Sequence, residues 1–448
     1  MPDLLIRVAT DDDVTAAGAL TAQAYTADGL VSDGDDYVEE LVDAVRRARE
    51  ARLLVAFAPP AAGRDEDAAD GRGAHHVGRA RAGADADADN DDEADEADDE
   101  RAELVGTLTI APAGTSYAEI AEPGEVELRM LAVAPRARRR GIAEALMRAA
   151  MREAVSLRAR RVVLSTLEEM TSAHRLYDRL CFTRVPERDW HHEDVALRVY
   201  TWDVPRGPGA RAESAVWPPL ESHDVDGWQV GLSGGFTRRA NSVLAAREPR
   251  DVTAAVKEVE QLYAHAGQPA VFRVCAQSEP EDLDDVLSRR GYREVAPTLV
   301  MVRRDLPDVA APWDSAGLQC VVREHPDEEW LTRWLDVRSS APVDHATAAA
   351  LVGGARAVYL TAGDGFGPVG VIRAAFVDDW VALSCLAVDV RARRRGVGRA
   401  LTGAALHEAV ARGATRAFLQ VEESNEGAIE MYAGLGFTPA ERYHYRQR

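Results

Sequence analysis

The sequence predicts an α/β protein in which one mixed-sheet unit occurs twice. Two nearly identical segments support this: RARRRGIAEAL at residues 136–146 and RARRRGVGRAL at residues 391–401. Each segment joins a predicted strand to a predicted helix, and another strand and another helix follow both. A repeat of a whole supersecondary unit indicates a duplicated domain. The chain has 448 residues, which is also too long for one ordinary core.

Alternating strands and helices are predicted before the first arginine segment. The strands cover residues 4–9, 52–58, 103–111 and 125–133, and the helices cover residues 11–25 and 36–50. Acidic residues stand at the start of both helices, where the helix dipole favours negative charge. If the strands 52–58 and 103–111 are neighbours, the residues between them lie at a hairpin tip, where long loops are tolerated.

After each arginine segment, apolar residues recur at helical spacing: Ile142, Ala145, Leu146 and Ala149 in the first copy, and Val397, Ala400, Leu401 and Ala404 in the second. Strands at 161–166 and 416–422 follow, and each is succeeded by a helix that ends in an aromatic turn. Between the copies, residues 206–224 are rich in Pro, Gly and polar residues and predict a linker. Residues 225–304 predict a strand and helix order like the second half of the other copies, without the arginine turn.

The acidic charge is concentrated in one segment. The chain has a net charge of −22, and residues 85–100 contribute eleven acidic residues and no basic one. Residues 59–101 contain almost nothing apolar to bury and predict a disordered insertion. Two interpretations stay open for it: a solvated loop without function and an acidic segment that binds a partner.

Other classes of protein are disfavoured by the sequence. The overall acidity argues against nucleic acid as a partner. No apolar run of about 18 residues predicts a membrane span, and the start lacks the pattern of a signal peptide. The four cysteines are far apart, without a CxxC or histidine spacing, so we expect no metal site and a cytoplasmic protein with small buried cysteines.

The turn between strand and helix has the chemistry of an anion site. Gly396 and Gly398 let the backbone adopt unusual φ values and approach a ligand closely. The free N–H groups of the following helix and the nearby arginines then favour a phosphate. There is no GxxxxGK[ST] motif, and the GFGPVG at 365–370 stands before a strand, which predicts a hairpin turn.

These residues resemble the GCN5-related N-acetyltransferases (the GNAT family). LAVDVRARRRGVGRALTGAAL with LQVEESNEGAIEMYAGLGF carries the resemblance near the C-terminus, and LAVAPRARRRGIAEALMRAA with SAHRLYDRLCF carries it in the first copy. The resemblance covers about residues 3–204 and 318–448. It implies tandem mixed sheets that splay open after the turn strand, so that acetyl-CoA inserts between the separated strands.

The resemblance also implies a division of the chain. We expect an N-terminal GNAT domain at residues 1–205, a linker with a degenerate GNAT-like half-domain at 206–316, and a C-terminal GNAT domain at 317–448. The GFTRRANSV segment with an incomplete GNAT-like half is similar to an actinobacterial GNAT group whose front half is degenerate. A structural pseudo-domain packed on the last domain is expected there.

The resemblance assigns acetyl-CoA binding to both turns and to the strand ends before them. In the C-terminal copy these residues are Leu386, Ala387, Val388, Arg393, Arg394, Arg395, Gly396, Val397, Gly398, Arg399 and Asn425. In the N-terminal copy they are Leu131, Ala132, Val133, Arg138, Arg139, Arg140, Gly141, Ile142 and Ala143.

Acyl transfer to an amine needs a base, a polarised carbonyl and an acid that protonates the leaving thiolate. Tyr432 and Tyr177 stand where the family places the acid, although a core aromatic residue is the alternative. Glu127 is the candidate base, against a solvent-facing glutamate, and Ala382 aligns with it. Asn425 would contact the pantetheine arm or cap a helix, and Met170 replaces it in the first copy.

The sequence therefore predicts an acetyl-CoA-dependent N-acetyltransferase that transfers an acetyl group directly to a primary amine. The acceptor would be a small molecule or a peptide, and the protein a monomer or homodimer. The alternatives are a non-catalytic acyl-CoA sensor or interaction module, or one catalytic and one regulatory domain. Glu422, Glu423 and Asp379 are further candidate bases for the C-terminal copy.

Overall fold

The computed structural model describes residues 4–32, 35–59, 102–192, 195–306, 318–338, 344–364 and 366–448. The chain divides into two compact units, Met1–Asp203 and Val204–Arg448. The predicted insertion at 59–101 lies outside the described residues, apart from Pro59. In the described ranges, no helix has the length and apolar character needed to cross a membrane.

The N-terminal unit is one mixed sheet flanked by helices. Its strands are β1 Leu5–Val8, β2 Arg52–Ala58, β3 Glu103–Pro112, β4 Glu125–Val133, β5 Arg161–Leu167, β6 Thr183–Arg184, β7 Trp190–His192 and β8 Val195–Asp203. Its helices are α1 Val14–Ala27, α2 Asp36–Val42, α3 Ala44–Glu50, α4 Ile142–Ser156 and α5 Thr171–Arg179. The strand order is β1-β2-β3-β4-β5-β8-β6, with β7 paired to β8, and only β4 and β5 run parallel among these described pairs.

Two local predictions in this unit have clear outcomes. β2 and β3 are antiparallel neighbours with Ala58 opposite Glu103, so the long insertion does join the ends of a hairpin. The single helix predicted at 36–50 is wrong, because the helix breaks at Asp43. The Asp43 carboxylate accepts a hydrogen bond from the Arg46 backbone N–H at 3.0 Å and so begins a second helix.

The C-terminal unit contains a larger mixed sheet. Its strands are β9 Glu221–Val225, β10 Trp228–Leu232, β11 Val243–Leu244, β12 Val271–Val274, β13 Arg293–Arg303, β14 Gln319–Arg323, β15 Ala357–Asp364, β16 Gly367–Val377, β17 Trp380–Val388, β18 Arg416–Glu422 and β19 Thr438–Gln447. Its helices are α6 Ala210–Ala215, α7 Val252–His265, α8 Leu283–Arg289, α9 Glu328–Arg338, α10 His345–Gly353, α11 Val397–Ala411 and α12 Glu426–Ala433. The order is β14-β15-β16-β17-β18-β13-β19-β12-β11-β10-β9.

This sheet runs through both segments predicted for residues 206–448. The residues 206–316 form what we call the middle segment. Its strand β13 lies between β18 and β19 and is antiparallel to both. Strand β19, at the end of the chain, also pairs with β12 of the middle segment. The division at residue 316 stays a prediction, but the two segments share hydrogen-bonded strands.

The linker predicted at 206–224 is wrong in part, because these residues include helix α6 and strand β9. Glu213 of α6 is buried and pairs with buried Arg273 at 2.8 Å, and Trp217 is buried beside it in the chain. The ion pair and the tryptophan fix this segment against the sheet, which its Pro- and Gly-rich composition did not indicate.

Helices α4 and α11 pack on their sheets in the same way. A Cβ atom at Gly106 would lie 2.9 Å from Leu146 Cδ1, and one at Gly370 would lie 2.9 Å from Leu401 Cδ1. These two glycines let each helix approach its strand closely, and the predicted apolar stripes of both helices are largely buried. Asp364 lies opposite Gly367 in the antiparallel β15–β16 register, which agrees with the hairpin turn predicted for residues 365–370. The expectation of buried cysteines is wrong for Cys181, which is exposed.

Candidate active site

In each unit, two parallel strands separate at the point where the arginine turn follows. The β17–β18 register runs from Trp380 opposite Arg416 to Leu383 opposite Leu419 and ends there. The β4–β5 register likewise ends at Leu128 opposite Leu164. Two residues further along, Cys385 has φ +56° and Met130 has φ +54°. These left-handed residues turn the strand away from its neighbour, and a cleft opens between the strand ends.

In the C-terminal unit the cleft is a cavity of about 590 Å³. Leu386 and Ala387 line it from β17, and Asn425 and Tyr432 line it from α12 and its cap. A further wall comes from the middle segment: Val216, Trp217 and Arg239. Residues from both sequence segments therefore enclose one cavity.

The turn before each long helix has the same backbone. Gly396 has φ +78° and Gly141 has φ +77°, and each is the residue that precedes the helix. No side chain caps either helix, so the first N–H groups are available to a ligand. Gly398 does not adopt an unusual φ, contrary to the expectation. It lies in the first turn of α11, where a Cβ would meet Met431 Sδ at 3.3 Å.

The arginines of the two turns differ in their partners. Arg138 Nη1 lies 2.7 Å from Asp28 Oδ1, and its Nη2 donates to the Ala24 carbonyl at 3.3 Å. Arg393 Nε donates to the Val388 carbonyl at 3.4 Å. The remaining arginines of the two runs are exposed: Arg139, Arg140, Arg394 and Arg395. The Arg399 side chain contacts the end of α12, because its Nη2 donates to the Gly434 carbonyl at 3.0 Å.

The apolar members of the predicted binding set contribute backbone more than side chains. Ile142 and Val397 are buried in the cores under α4 and α11. Leu131, Ala132 and Val133 end strand β4 as Leu386, Ala387 and Val388 end β17, and Ala132 and Ala387 are buried. Ala143 is half-buried in the first turn of α4.

Tyr432 and Tyr177 occupy equivalent positions, each five residues before an aromatic residue. Both are buried, and burial raises the pKa of each to about 12. Tyr432 lines the cavity and packs against Phe437, with ring centroids 5.8 Å apart. Tyr177 packs against Phe182 and Tyr200. Each phenol therefore keeps its proton well above neutral pH.

Asn425 caps helix α12, because its side-chain oxygen accepts a hydrogen bond from the Ala428 N–H at 3.2 Å. It also lines the cavity, so the two roles considered for it are compatible. Met170 precedes α5 at the equivalent position and gives that helix no side-chain cap.

Glu127 is buried, and its carboxylate anchors the loop before β4. Its Oε2 accepts backbone N–H bonds from Glu119 and Ile120 at 2.8 Å and from Ala121 at 3.3 Å. Burial raises the pKa of Glu127, although these N–H donors oppose the shift. The solvent-facing alternative is therefore wrong, and the strand registers agree that Ala382 is its counterpart.

The candidate bases of the C-terminal unit have unequal surroundings. Arg416 and Thr415 hold the pKa of Asp379 at about 2, and Glu423 Oε1 lies 2.9 Å from Arg442 Nε. Glu422 lines the cavity and has no ion pair among the described residues. The geometry favours Glu422 of the three.

Sequence reasoning missed several polar or aromatic residues of the cavity, among them Trp217, Arg239, Ser384 and Gln420. Arg239 Nε donates to Gln420 Oε1 at 2.7 Å and thereby joins the middle segment to β18. Ser384 Oγ is buried with no hydrogen-bond partner among the described residues. Trp217 and Arg239 carry no local signal, because they come from a predicted linker and a predicted bend.

The donor set of both turns fits a phosphorylated ligand such as acetyl-CoA. A Cβ at Gly396 would meet no atom within 4 Å, so there is open space beside the uncapped helix start. Backbone N–H groups, a helix dipole and exposed guanidinium groups all favour an anion there.

The fold and the cleft define an acyltransferase, and comparisons with known proteins identify the type. The family described as "Probable histone acetyltransferase Rv0428c C-terminal" matches residues 210–446. The family described as "Acetyltransferase (GNAT) family" matches residues 75–182. The chain belongs to the GNAT acetyltransferases, and its larger part belongs to the Rv0428c C-terminal family.

Two curated relatives agree with this family. The probable histone acetyltransferase Rv0428c of Mycobacterium tuberculosis is 30% identical over 268 residues, which cover 57% of this chain and 78% of that protein. The uncharacterized N-acetyltransferase YobR of Bacillus subtilis is 25% identical over 253 residues, 53% of this chain and 96% of the relative. A solved tandem GNAT protein from the clavulanic acid biosynthesis pathway has 13% identity and a TM-score of 0.32, covering 100% of this chain and 98% of its own.

Proposed function

We propose that the C-terminal unit transfers an acetyl group from acetyl-CoA directly to a primary amine in a ternary complex. The observation that carries this proposal is the 590 Å³ cavity, which joins the separated ends of β17 and β18 to Tyr432, Asn425 and Glu422. Acetyl-CoA supplies the activated acetyl group. The turn Arg393–Gly398 would hold its phosphates, and the residues of the cavity would serve the reaction.

Tyr432 would protonate the departing thiolate. A thiol has an ordinary pKa near 8.5, and the pKa of Tyr432 is about 12 because the ring is buried. The phenol is therefore fully protonated wherever the enzyme works, and it donates to a thiolate that forms beside it. Because its pKa lies above that of the thiol, Tyr432 would act by donating a hydrogen bond to the departing thiolate and sharing the proton with it.

Glu422 would accept a proton from the acceptor. A free alkyl amine is mostly charged at neutral pH and must lose a proton before it can attack. Glu422 lies at the end of β18 and lines the same cavity as Tyr432. Trp217 and Arg239 would then form the wall against which the rest of the acceptor lies.

The N-terminal unit has a second set of candidate groups: Tyr177, Glu127 and the turn at Arg138–Ala143. Two observations favour weaker acetyl-CoA binding there. Arg138 is already paired with Asp28, and Met170 stands in place of Asn425. A division into one catalytic and one regulatory unit is therefore the second candidate function, and a protein that only senses acyl-CoA is the third.

We further propose a small-molecule or peptide amine as the acceptor and action in the cytoplasm as a monomer or homodimer. The name of the Mycobacterium tuberculosis relative mentions histone, which supports including lysine peptides among the candidate acceptors. The acidic composition, with a net charge of −22, agrees with a cationic acceptor.

The decisive experiment measures free-thiol release from acetyl-CoA by the full chain against a panel of amines and lysine peptides. We expect at least one amine to increase thiol release, and Tyr432→Phe to abolish most of that increase. Acetyl-CoA binding without amine-dependent thiol release would replace the transferase by the sensor.

A further inference from the structure

Buried polar side chains hold the backbone of the bend between β10 and β11. Asn241 is only 3% exposed, and its Oδ1 accepts the N–H groups of Ser233 at 2.8 Å and of Gly235 at 3.2 Å. Ser233 Oγ donates to the Ala240 carbonyl at 2.8 Å. These bonds fix the backbone on both sides of the bend, and they thereby fix the position of Arg239.

Arg239 extends from this bend to the wall of the C-terminal cavity, where it is half-buried. Its Nε donates to Gln420 Oε1 at 2.7 Å, and its Nη2 donates to the Gln420 carbonyl at 3.1 Å. Tyr443 is a further neutral contact. Arg239 has no ion pair within the described residues, so these neutral partners leave its positive charge uncompensated.

Other arginines on the same sheet have carboxylate partners. Arg273 Nη2 lies 2.8 Å from Glu213 Oε2. Arg442 Nε lies 2.9 Å from Glu423 Oε1. Charges withdrawn from water are normally paired in this way, because an isolated charge in a protein interior costs free energy. Arg239 lacks such a partner, and an anionic ligand in the cavity would supply it.

A second guanidinium group without a carboxylate lies behind the same wall. Arg373 is fully buried, donates from Nη1 to the Val216 carbonyl at 2.9 Å and has no ion pair in the described part of the chain. It stands opposite Ser384, which lines the cavity, in the β16–β17 register. The Cζ atoms of Arg373 and Arg239 lie 5.1 and 5.9 Å from the centroid of the Trp217 ring. Two positive charges therefore surround this part of the cavity.

The charged side chains that line the cavity are one guanidinium group, Arg239, and one carboxylate, Glu422. Arg239 is bonded to Gln420, which precedes Glu422 by two residues on β18. Residues two apart in a strand face the same side and are separated by roughly 7 Å. The arginine turn at 393–398 is not part of the lining, so Arg239 is separate from the place proposed for the cofactor phosphates.

We propose that the acceptor is an α-amino acid with an apolar side chain, and that Arg239 binds its carboxylate through charge-assisted hydrogen bonds. The ammonium group lies at Glu422, and the apolar side chain lies against Trp217 and Trp334, which line the cavity. Arg373 does not line the cavity, and its charge strengthens the attraction from behind the wall.

The identity of the acceptor rests on the acetyl transfer proposed for the C-terminal unit. The ammonium group first loses a proton to Glu422, and the amine nitrogen then bonds to the acetyl carbon as the carbon–sulfur bond breaks. The products are the N-acetylamino acid, the free thiol and one proton. Binding of a carboxylate at Arg239 does not depend on this transfer.

Titration calorimetry of the full chain with N-acetyl-L-phenylalanine tests the carboxylate site without the reaction, because this compound has no free amine. N-acetyl-L-phenylalaninamide is the neutral control with the same ring. We expect the carboxylate compound to bind at least about tenfold more tightly and to weaken as salt rises. Equal affinities for the two compounds would overturn the proposal.

Arg239→Met locates the site, and Arg238→Met is its matched control. Arg238 is the exposed neighbour, and its Nε donates to Gln447 Oε1 at 3.3 Å. Arg239→Met should weaken binding of N-acetyl-L-phenylalanine about tenfold, whereas Arg238→Met should leave it unchanged. An equal loss in both variants would mean diffuse attraction and would refute the site. The comparison of the two compounds on the wild type holds even where Arg239→Met fails to fold.

Thiol release separates this proposal from the proposed function. We expect kcat/KM for L-phenylalanine to exceed that for L-phenylalaninamide at least about tenfold. Thiol release without a preference for the carboxylate would refute the amino acid acceptor and leave acetyl transfer standing. Binding of N-acetyl-L-phenylalanine that depends on Arg239, without thiol release from any amine, would refute the transferase and the acceptor and leave only the carboxylate site.

Discussion

The N-terminal and C-terminal units share one arginine turn but differ at the positions around it. Gly141 and Gly396 differ in φ by only a degree, and both strand pairs separate at the same step. Yet Arg129 stands where the C-terminal unit has Ser384, and Glu127 stands where it has Ala382. The arginine turn keeps the same backbone geometry in both units, whereas these positions on β4 and β17 differ in charge and size.

The two units also place a buried guanidinium group in the same region from different elements. Thr109 and Arg373 are equivalent, each three residues after the glycine that contacts α4 or α11. In the N-terminal unit, Arg47 of α3 is fully buried and its Nη1 donates to Thr109 Oγ1 at 3.4 Å. In the C-terminal unit, Arg373 itself is fully buried and donates to the Val216 carbonyl at 2.9 Å. Through this hydrogen bond, Arg373 connects the sheet of the C-terminal unit to the middle segment.

Tyr432→Phe should produce the largest effect and decide which unit catalyses. The exchange keeps the ring against Phe437 and removes only the proton donor. Turnover should fall roughly 100- to 10,000-fold, with acetyl-CoA affinity nearly unchanged. Because the pKa of Tyr432 is about 12, the wild-type rate should show no loss from this group below about pH 11.

Tyr177→Phe is the matched variant in the N-terminal unit. Comparable losses from both exchanges would show two catalytic units, and a loss from Tyr432→Phe alone would show one. If neither exchange slows a confirmed amine substrate, both tyrosines are core aromatics and the proton-donor assignment is wrong.

Glu127→Ala should destabilise the N-terminal unit by about 1–3 kcal/mol, because the backbone N–H groups of residues 119–121 lose their acceptor. Glu127→Gln keeps a carbonyl oxygen there and should cost less. Chemical denaturation, monitored by tryptophan fluorescence, measures both. If Glu127 is also the base, Glu127→Gln should flatten the alkaline rise in the rate.

The pH dependence of Glu127→Gln has a definite sign. Burial raises the folded-state pKa of Glu127 above the ordinary 4.5, so the contribution of its protonated form is complete below pH 4.5 and is lost as the pH rises through the folded pKa. The stability of the wild type relative to Glu127→Gln should therefore fall over that interval. A constant difference would show that burial does not perturb this carboxyl group.

Gly396→Val should weaken acetyl-CoA binding about tenfold or more, and Gly141→Val tests the other turn. Both glycines have left-handed φ values, which cost an L residue roughly 1–2 kcal/mol, and the side chain would occupy the space proposed for phosphate. The N-terminal unit has Met170 at the position equivalent to Asn425. We therefore expect the C-terminal unit to bind acetyl-CoA more tightly. Titration calorimetry on the full chain measures the affinity of each class of site.

Gly403→Ala is the control for these glycine variants. Gly403 lies within α11, and a Cβ there would meet no atom within 4 Å. Alanine should therefore be tolerated and favour the helix by up to about 1 kcal/mol. Unchanged acetyl-CoA affinity in Gly396→Val would remove the phosphate assignment from the turn.

The smallest expected effect concerns two ion pairs at helix starts, Arg7–Asp13 before α1 and Arg323–Asp327 before α9. Burial raises the pKa of Asp13, but Arg7 and Thr10 overcome it and hold the pKa at about 2. The stabilisation of the folded state by the ionised Asp13 carboxylate is complete above pH 3.8 and is lost as the pH falls towards 2. With Arg7 one-third exposed, the loss is about 1 kcal/mol after screening. Asp327 Oδ2 lies 2.5 Å from Arg323 Nε, and the Asp327 side chain is one-third exposed.

Asp13→Asn should therefore reduce the dependence of unfolding on acid between pH 4 and 2 more than Asp327→Asn does. Equilibrium unfolding at several pH values, with the two variants in parallel, checks this order. A larger effect at Asp327 would mean that the hydrogen bonds from Arg7 and Thr10 do not lower the pKa of Asp13.

The sequence by itself determined the local elements and the two turns. Periodicity and glycine placement act over a few residues, so strand β18 could be predicted to the residue and helix α11 could be placed directly after its arginine turn. The equivalence of Glu127 with Ala382, and of Asn425 with Met170, also followed from the repeat. Asp43 was an exception, because a capping carboxylate within an otherwise helical pattern gave no clear signal.

Only the tertiary structure decided which strands pair and which residues meet. β8 lies beside β5 in the N-terminal unit, but β13 of the middle segment takes that place beside β18, and β19 is displaced outwards. Trp217 and Arg239 enter the cavity for that reason. Pairing of strands far apart in sequence depends on burial of the whole sheet, and local residue patterns do not specify it.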